Sequence, residues 1–166
     1  MKQPLAYIHP EAKIADNVII DPFVTIEKNV EIGEGTWIGS NAVIMEGARI
    51  GKNCKIYPGA IISAVPQDLK FTGEETVAII GDNTMIREFV TINRGTKASY
   101  KTVVGDNCLL MAYVHVAHDC IVGNNCILAN NTTLAGHVEI DDYANLGGLV
   151  AVHQFVKIGS HCYISG

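Results

Sequence analysis

Isoleucine stands at positions 8, 14, 20, 26, 32, 38, 44, 50, 56 and 62, ten in succession and six apart. Neither the 3.6-residue period of a helix nor the two-residue alternation of an ordinary strand produces that spacing. The register resumes at Ile80, Ile86 and Ile92, then runs in eleven aliphatic steps from Val104 to Ile164. Between positions 8 and 164, only Asp68, Glu74 and Ala98 break it. Four residues after each aliphatic comes a small one, as at Ala12, Val18, Val24, Val30, Thr36, Ala42, Ala48, Cys54 and Ala60.

One large and one small inward residue in every six make one flat side of a prism. Three sides close a coil of about 18 residues, and coils stack as parallel strands about 4.8 Å apart. Each buried isoleucine contributes about 1.5–3 kcal/mol, which drives the stacking. The pattern resembles the hexapeptide-repeat proteins, and the resemblance implies their fold, a left-handed parallel β-helix. The expectation is a single all-β domain over residues 1–166, a triangular prism.

The period also accounts for the cysteines. Cys54, Cys108, Cys120, Cys126 and Cys162 all fall in the small inward slot and are expected to be compact apolar filler. Their odd number and the lack of a CxxC spacing argue against a disulfide framework. A net charge of −5 and a pI near 5.6 lack the basic face that nucleic-acid binding requires. No apolar run approaches the ~18 residues of a membrane span. The N-terminal MKQPLAYIHPEAKI has no signal-peptide core. The expectation is a cytoplasmic protein with no membrane span.

The regular coil breaks twice. Residues 63–79, SAVPQDLKFTGEETVAI, read as a loop projecting from the prism, and KASYK at 97–101 as a shorter one. Long loops on a rigid scaffold are where function tends to sit. Charge then thins along the axis: residues 1–62 carry 13 charged side chains and residues 104–166 carry six. Outward positions of the second part include Leu109, Met111, Ala112, Tyr113 and Ala117. A surface this apolar implies self-association, most simply about a three-fold axis. The sequence stops in mid-repeat at Ile164-Ser165-Gly166. Because a solenoid needs a cap, either further chain or another subunit is expected there.

The stretch YVHVAHDC, residues 113–120, then poses the functional question. None of the six histidines takes an inward slot. With a coil of about 18 residues, His118, Gly136 and Gln154 form one column, and Asp119, His137 and Phe155 the next. His153 joins the same patch, whereas His9 and His161 read as surface residues. Three readings fit. A histidine can take a proton at neutral pH, with a carboxylate to orient its ring; direct contact between His118 and Asp119 then requires a corner of the chain. A polar seam between subunits fits the spacing equally well. Zinc would need His115, His118 and His137 to converge within ~2.1 Å of one point, with help from a facing subunit.

A closer likeness rests on QDLK (67–70), IREFVTINRGT (86–96), HVAHDC (115–120), GNNCILANNTTLAGHVEIDD (123–142) and AVHQF (151–155). These stretches resemble the UDP-N-acetylglucosamine O-acyltransferase family, which opens lipid A biosynthesis. The resemblance implies a homotrimer with active sites between neighbouring prisms, acyl carrier protein as acyl donor, UDP-N-acetylglucosamine as acceptor, and no cofactor or metal. It implies His118 as general base, Asp119 as its partner and the Gly136 N–H as oxyanion donor. Gln67, Asp68, Lys70, His115, His137, His153 and Gln154 would bind or position substrate, and Gly166 falls where the family measures acyl length. Arg87 and Arg94 are further candidates for the diphosphate. The family chain is longer and ends in a helical region, which this sequence does not contain. The nearest alternatives are a sister hexapeptide acyltransferase, with another acceptor or a coenzyme A donor, and a zinc-dependent hydratase.

Overall fold

The structure, a computed structural model, describes residues 4–166. Among these, 24 short strands form three parallel sheets of eight strands each, and none of the described residues is helical. The chain visits the three sheets in rotation, so each sheet is one face of a left-handed parallel β-helix. The first face runs from Tyr7–Ile8 to Ala151–Val152, the second from Lys13–Ile14 to Lys157–Ile158, and the third from Ile19–Ile20 to Tyr163–Ile164.

The isoleucine register becomes the core directly. Ile20, Ile26, Ile38, Ile44, Ile56 and Ile62 are fully buried, as are Leu110, Leu128 and Leu134 further along. The small slot lies between them, with Val24, Ala42, Cys54, Ala60, Val90, Val114, Cys120 and Ala144 also at 0% exposure. Like stacks on like because the partners sit one coil apart: Ile8 pairs with Ile26, and Val116 with Leu134. Cys162 departs from the expectation. It occupies the same slot but is exposed, since no further coil of the described chain covers it. Ala117 departs in the other sense: it is buried rather than outward.

The two breaks lengthen individual coils. Ile62 pairs with Ile92, thirty residues on, and Ile80 with Val104, twenty-four on. The insertions thus add twelve residues and then six, so the arithmetic register survives them. Strands extend to Ala64 and resume at Val77, so the first projection is 65–76 rather than 63–79. The second runs from 94 to 100, between Thr91–Asn93 and Lys101–Val104. Both leave the prism at the corner between the first and second faces. That edge also carries His118-Asp119, Gly136-His137 and Gln154-Phe155.

From Phe23 onward most corners turn through a residue with positive φ. Asparagine tolerates this conformation and fills the slot at 29, 41, 53, 83, 107, 125 and 131. Elsewhere Phe89, Tyr113, Asp119, His137, Tyr143, Phe155 and His161 accept it, at a cost of order 1–3 kcal/mol each. Stacking along the edges offsets part of this. The rings of Phe89 and Tyr113 lie 5.2 Å apart, those of Tyr143 and His161 4.8 Å, and those of His137 and Phe155 4.6 Å.

Candidate active site

His118 and Asp119 occupy a corner, the geometry their direct contact requires. Asp119 takes a φ of 60°, which swings its carboxylate back beside the preceding side chain. Oδ2 of Asp119 lies 2.8 Å from Nδ1 of His118. Both residues are buried, at 6% and 5% exposure, although both lie outside the hydrophobic prism.

The Asp119 carboxylate accepts five hydrogen bonds in all. Thr96 donates its N–H to Oδ1 at 3.0 Å and its hydroxyl to Oδ2 at 2.7 Å. Ser99 donates its N–H to Oδ1 at 3.2 Å and also its hydroxyl to Oδ1. His118 supplies the fifth. Burial by itself would raise the Asp119 pKa, but the Ser99, Thr96 and His118 donors outweigh it and hold the group at about 2. An ionised carboxylate can only accept, so the shared proton sits on Nδ1 and the lone pair of neutral His118 on Nε2.

Gly136 stands one coil above, against the imidazole. A Cβ at position 136 would meet Cε1 of His118 at 2.6 Å and Nε2 at 2.8 Å, so only glycine leaves the ring in place. Its N–H contrasts with those at the next corner of the prism. There, the N–H groups of Asp82, Asp106 and Asn124 are capped by side chains of the following coil, Asp106, Asn124 and Asp142, at 2.7–2.8 Å. The N–H of Gly136 has no hydrogen-bond partner among the described residues, leaving a donor beside Nε2 of His118.

A cleft of about 490 Å³ opens along this edge, lined by Gln67, Asp68, Leu69, Lys70, His118, His137, Gln154 and Phe155. The first insertion therefore reaches over the histidine column within one chain. Asp68 shapes that insertion by accepting the Lys70 N–H at 2.9 Å. His137 stands edge-on to His118, with centroids 5.2 Å apart.

The remaining candidates lie elsewhere. His115 sits on the first face, half-buried, with Nδ1 2.7 Å from the Thr91 hydroxyl, and does not line the cleft. Burial, with a smaller contribution from nearby His118, lowers its pKa. His153 is exposed and turns Nδ1 toward the Gln154 carbonyl at 3.2 Å. Gly166 lies against Gly148, on the corner between the third and first faces rather than the His118 edge. Arg87 pairs with Glu88 at 2.9 Å, and Arg94 donates to the Glu46 carbonyl at 3.1 Å; neither lines the cleft.

Among the described residues, the spacing that could span a metal ion belongs to ligand atoms of His118, Asp119 and His137, within 4.8 Å of one another, and not to the His115, His118 and His137 set that the zinc alternative would need. Oδ2 of Asp119 already accepts from Thr96 and His118, and Nδ1 of His118 is committed to it. A cation taking Oδ2 of Asp119 and Nδ1 of His118 would have to displace the hydrogen bond between them.

Thr96, Ser99, Leu69 and Phe155 escaped the sequence reading as site residues. The first three lie in insertions, where no period places them. Phe155 could have been found, because it shares a column with His137.

Residues 2–104 match the family model described as the GMPPB C-terminal domain, and residues 101–136 the bacterial transferase hexapeptide model of six repeats. An acyl-[acyl-carrier-protein]–UDP-N-acetylglucosamine O-acyltransferase of Stenotrophomonas maltophilia is 49% identical over 162 residues, 97% of this chain. That of Helicobacter pylori is 51% identical over 108 residues, 64% of this chain. The solved UDP-N-acetylglucosamine acyltransferase of Francisella novicida superposes with a TM-score of 0.96 at 47% identity, over 98% of this chain. The chain spans 62%, 40% and 60% of these three proteins' own lengths. By the extent of its repeat and by its identity to these relatives, the chain belongs to the hexapeptide-repeat β-helix proteins and, among them, to the UDP-N-acetylglucosamine O-acyltransferase family.

Proposed function

We propose that this chain carries the catalytic edge of an enzyme that moves a (3-hydroxy)acyl group from acyl carrier protein to the 3-hydroxyl of UDP-N-acetylglucosamine, the first step of lipid A biosynthesis. The observation that carries the reading is the His118–Asp119 pair under the Gly136 N–H, at the wall of a cleft reached by the Gln67–Lys70 insertion.

The chemistry needs no covalent acyl-enzyme. Nε2 of His118 takes the proton of the sugar hydroxyl as its oxygen attacks the thioester carbonyl. Such assistance typically gains ~10²–10⁴-fold. Asp119, ionised at about 2 and far below neutrality, stabilises the imidazolium that forms. The carbonyl oxygen becomes an oxyanion, and the unpartnered Gly136 N–H would be its donor, a contact worth ~2.7–4 kcal/mol. Collapse of the tetrahedral intermediate breaks the carbon–sulfur bond. The thiolate takes the proton back from His118, restoring the neutral base.

Lys70 is exposed and suits the nucleotide diphosphate, while Gln67, Asp68, His137 and Gln154 line the cleft beside it. His115 and His153 do not line this cleft, and their roles toward substrate rest on the family likeness alone. A homotrimer suits the apolar exterior: Ile121, Ile127, Tyr143, Leu149 and Tyr163 are all exposed at 39–77%. It would also resolve the placement of Gly166. That residue lies on a different corner from its own His118, so only a neighbouring subunit could bring an acyl-length stop to the cleft. Among the described residues no helix is long and apolar enough to cross a membrane, which agrees with an enzyme working in the cytoplasm.

The test is to incubate the protein carrying this chain with UDP-N-acetylglucosamine and a panel of acyl carrier protein thioesters, then weigh the nucleotide product. A mass gain of one acyl group from the carrier protein thioester is expected. Transfer only from coenzyme A thioesters, or only to an amine acceptor, would replace this reading with that of a sister acyltransferase.

A further inference from the structure

The second insertion, residues 94–100, contributes nothing to the repeat, yet it supplies four of the five hydrogen bonds on the Asp119 carboxylate. Thr96 spans both oxygens, fixing the carboxylate plane, and Ser99 closes the far side of Oδ1 with its N–H and hydroxyl. The remaining edge of Oδ2 faces Nδ1 of His118. The insertion is itself braced. Tyr100 donates its N–H to the Thr96 carbonyl at 2.7 Å, and the Gly95 N–H reaches the Val77 carbonyl at 3.2 Å. Glu74 of the first insertion accepts the Lys97 N–H at 3.1 Å while holding the Thr72 N–H with its other oxygen at 2.9 Å. The two interruptions of the β-helix are thus joined to each other, and the second is joined through Asp119 to the base.

We propose that Thr96 and Ser99 are positioning residues for His118: they lock the Asp119 carboxylate in the one orientation that accepts from Nδ1, and so keep Nε2 open toward the acceptor hydroxyl. The proposal deepens the acyl-transfer reading and rests on it. Without these donors, a buried carboxylate beside a single imidazole can turn about its own bonds. The imidazole then loses its reason to carry the proton on Nδ1 rather than Nε2. A histidine protonated on Nε2 presents a donor to the sugar hydroxyl and cannot act as its base. Neither side chain lies in the repeat, and both hydroxyls are committed to the Asp119 carboxylate, so each would act through it.

The experiment uses T96V, S99A and the double variant in the protein that carries this chain. Imidazole ¹⁵N resonances report the His118 tautomer, and kcat and KM are measured separately. Wild type is expected to hold His118 as the Nδ1–H tautomer above its titration. The double variant should show a mixture of tautomers, with kcat about 10–100-fold lower and the KM for UDP-N-acetylglucosamine within about two-fold. T96S and S99T, which keep the hydroxyls, should retain both the tautomer and the rate. A folded double variant whose His118 stays wholly in the Nδ1–H form, or whose kcat stays within about two-fold of wild type, overturns the proposal. If the double variant does not fold, S99A alone decides by the same two criteria, because it keeps three of the four contacts. The tautomer measurement needs no substrate. A wild-type protein without acyl transfer would therefore sink the functional reading, while the tautomer response would still support the positioning roles.

Discussion

The Cα of Gly136 faces the imidazole of His118 so closely that a Cβ there would lie 2.8 Å from Nε2. Alanine at 136 must therefore push the imidazole aside, although it keeps the backbone N–H. Gly136→Ala is expected to lower kcat about 100-fold, the scale of lost general-base assistance, with a smaller loss of thermal stability. Steady-state kinetics beside a thermal melt checks this. A rate within a few-fold of wild type would show that the ring has room to spare.

Asp119 links the site to acid stability. Its folded pKa of about 2 is below the ordinary 3.8, so the ionised form is bound more tightly in the folded state. The stability this provides is complete above pH 4 and is lost as pH falls through 2, on the order of 2 kcal/mol in total. Wild type should therefore lose more of its melting temperature than Asp119→Asn between pH 5 and pH 2. At neutral pH, Asp119→Asn should lower kcat about 100-fold, since an amide no longer dictates which nitrogen of His118 carries the proton. Melts of the two proteins across that range, with kcat at neutral pH, supply the check.

The prism was readable because burial repeats. Every sixth residue must be aliphatic to fill a coil, so Ile20 through Leu146 advertise the fold, and the coil length alone stacks His118, Gly136 and Gln154. The insertions follow no such rule. Their hydrogen bonds to Asp119 come from Thr96 and Ser99, residues whose polarity in a loop looks ordinary. His115 stayed outside the coil-length column for a physical reason: a strand residue points off a face, whereas His118 and His137 turn at a corner. The inward slot likewise fills Cys120 and Cys126 but leaves Cys162 exposed, because burial needs a coil on both sides.

Lys70 is exposed at the tip of an insertion and lines the cleft without bracing the fold. Lys70→Ala should raise the KM for UDP-N-acetylglucosamine about ten-fold with kcat changed little, the pattern of a lost binding contact. Titration of initial rates against the nucleotide sugar distinguishes this from a change in kcat alone.

Leu128 is fully buried on the third face, away from the His118 corner, so its removal tests packing without chemistry. Leu128→Ala should cost 2–5 kcal/mol, about the usual penalty for a core cavity, while kcat measured below the melting range holds. Denaturant unfolding gives the first quantity and an activity assay the second.

The base assignment is tested most directly by His118→Ala, with acyl transfer from carrier protein followed by product mass and the subunit assembly followed by light scattering. The expected result is an intact, folded assembly whose transfer rate has fallen at least about 100-fold. Turnover at the wild-type rate in that variant would contradict it.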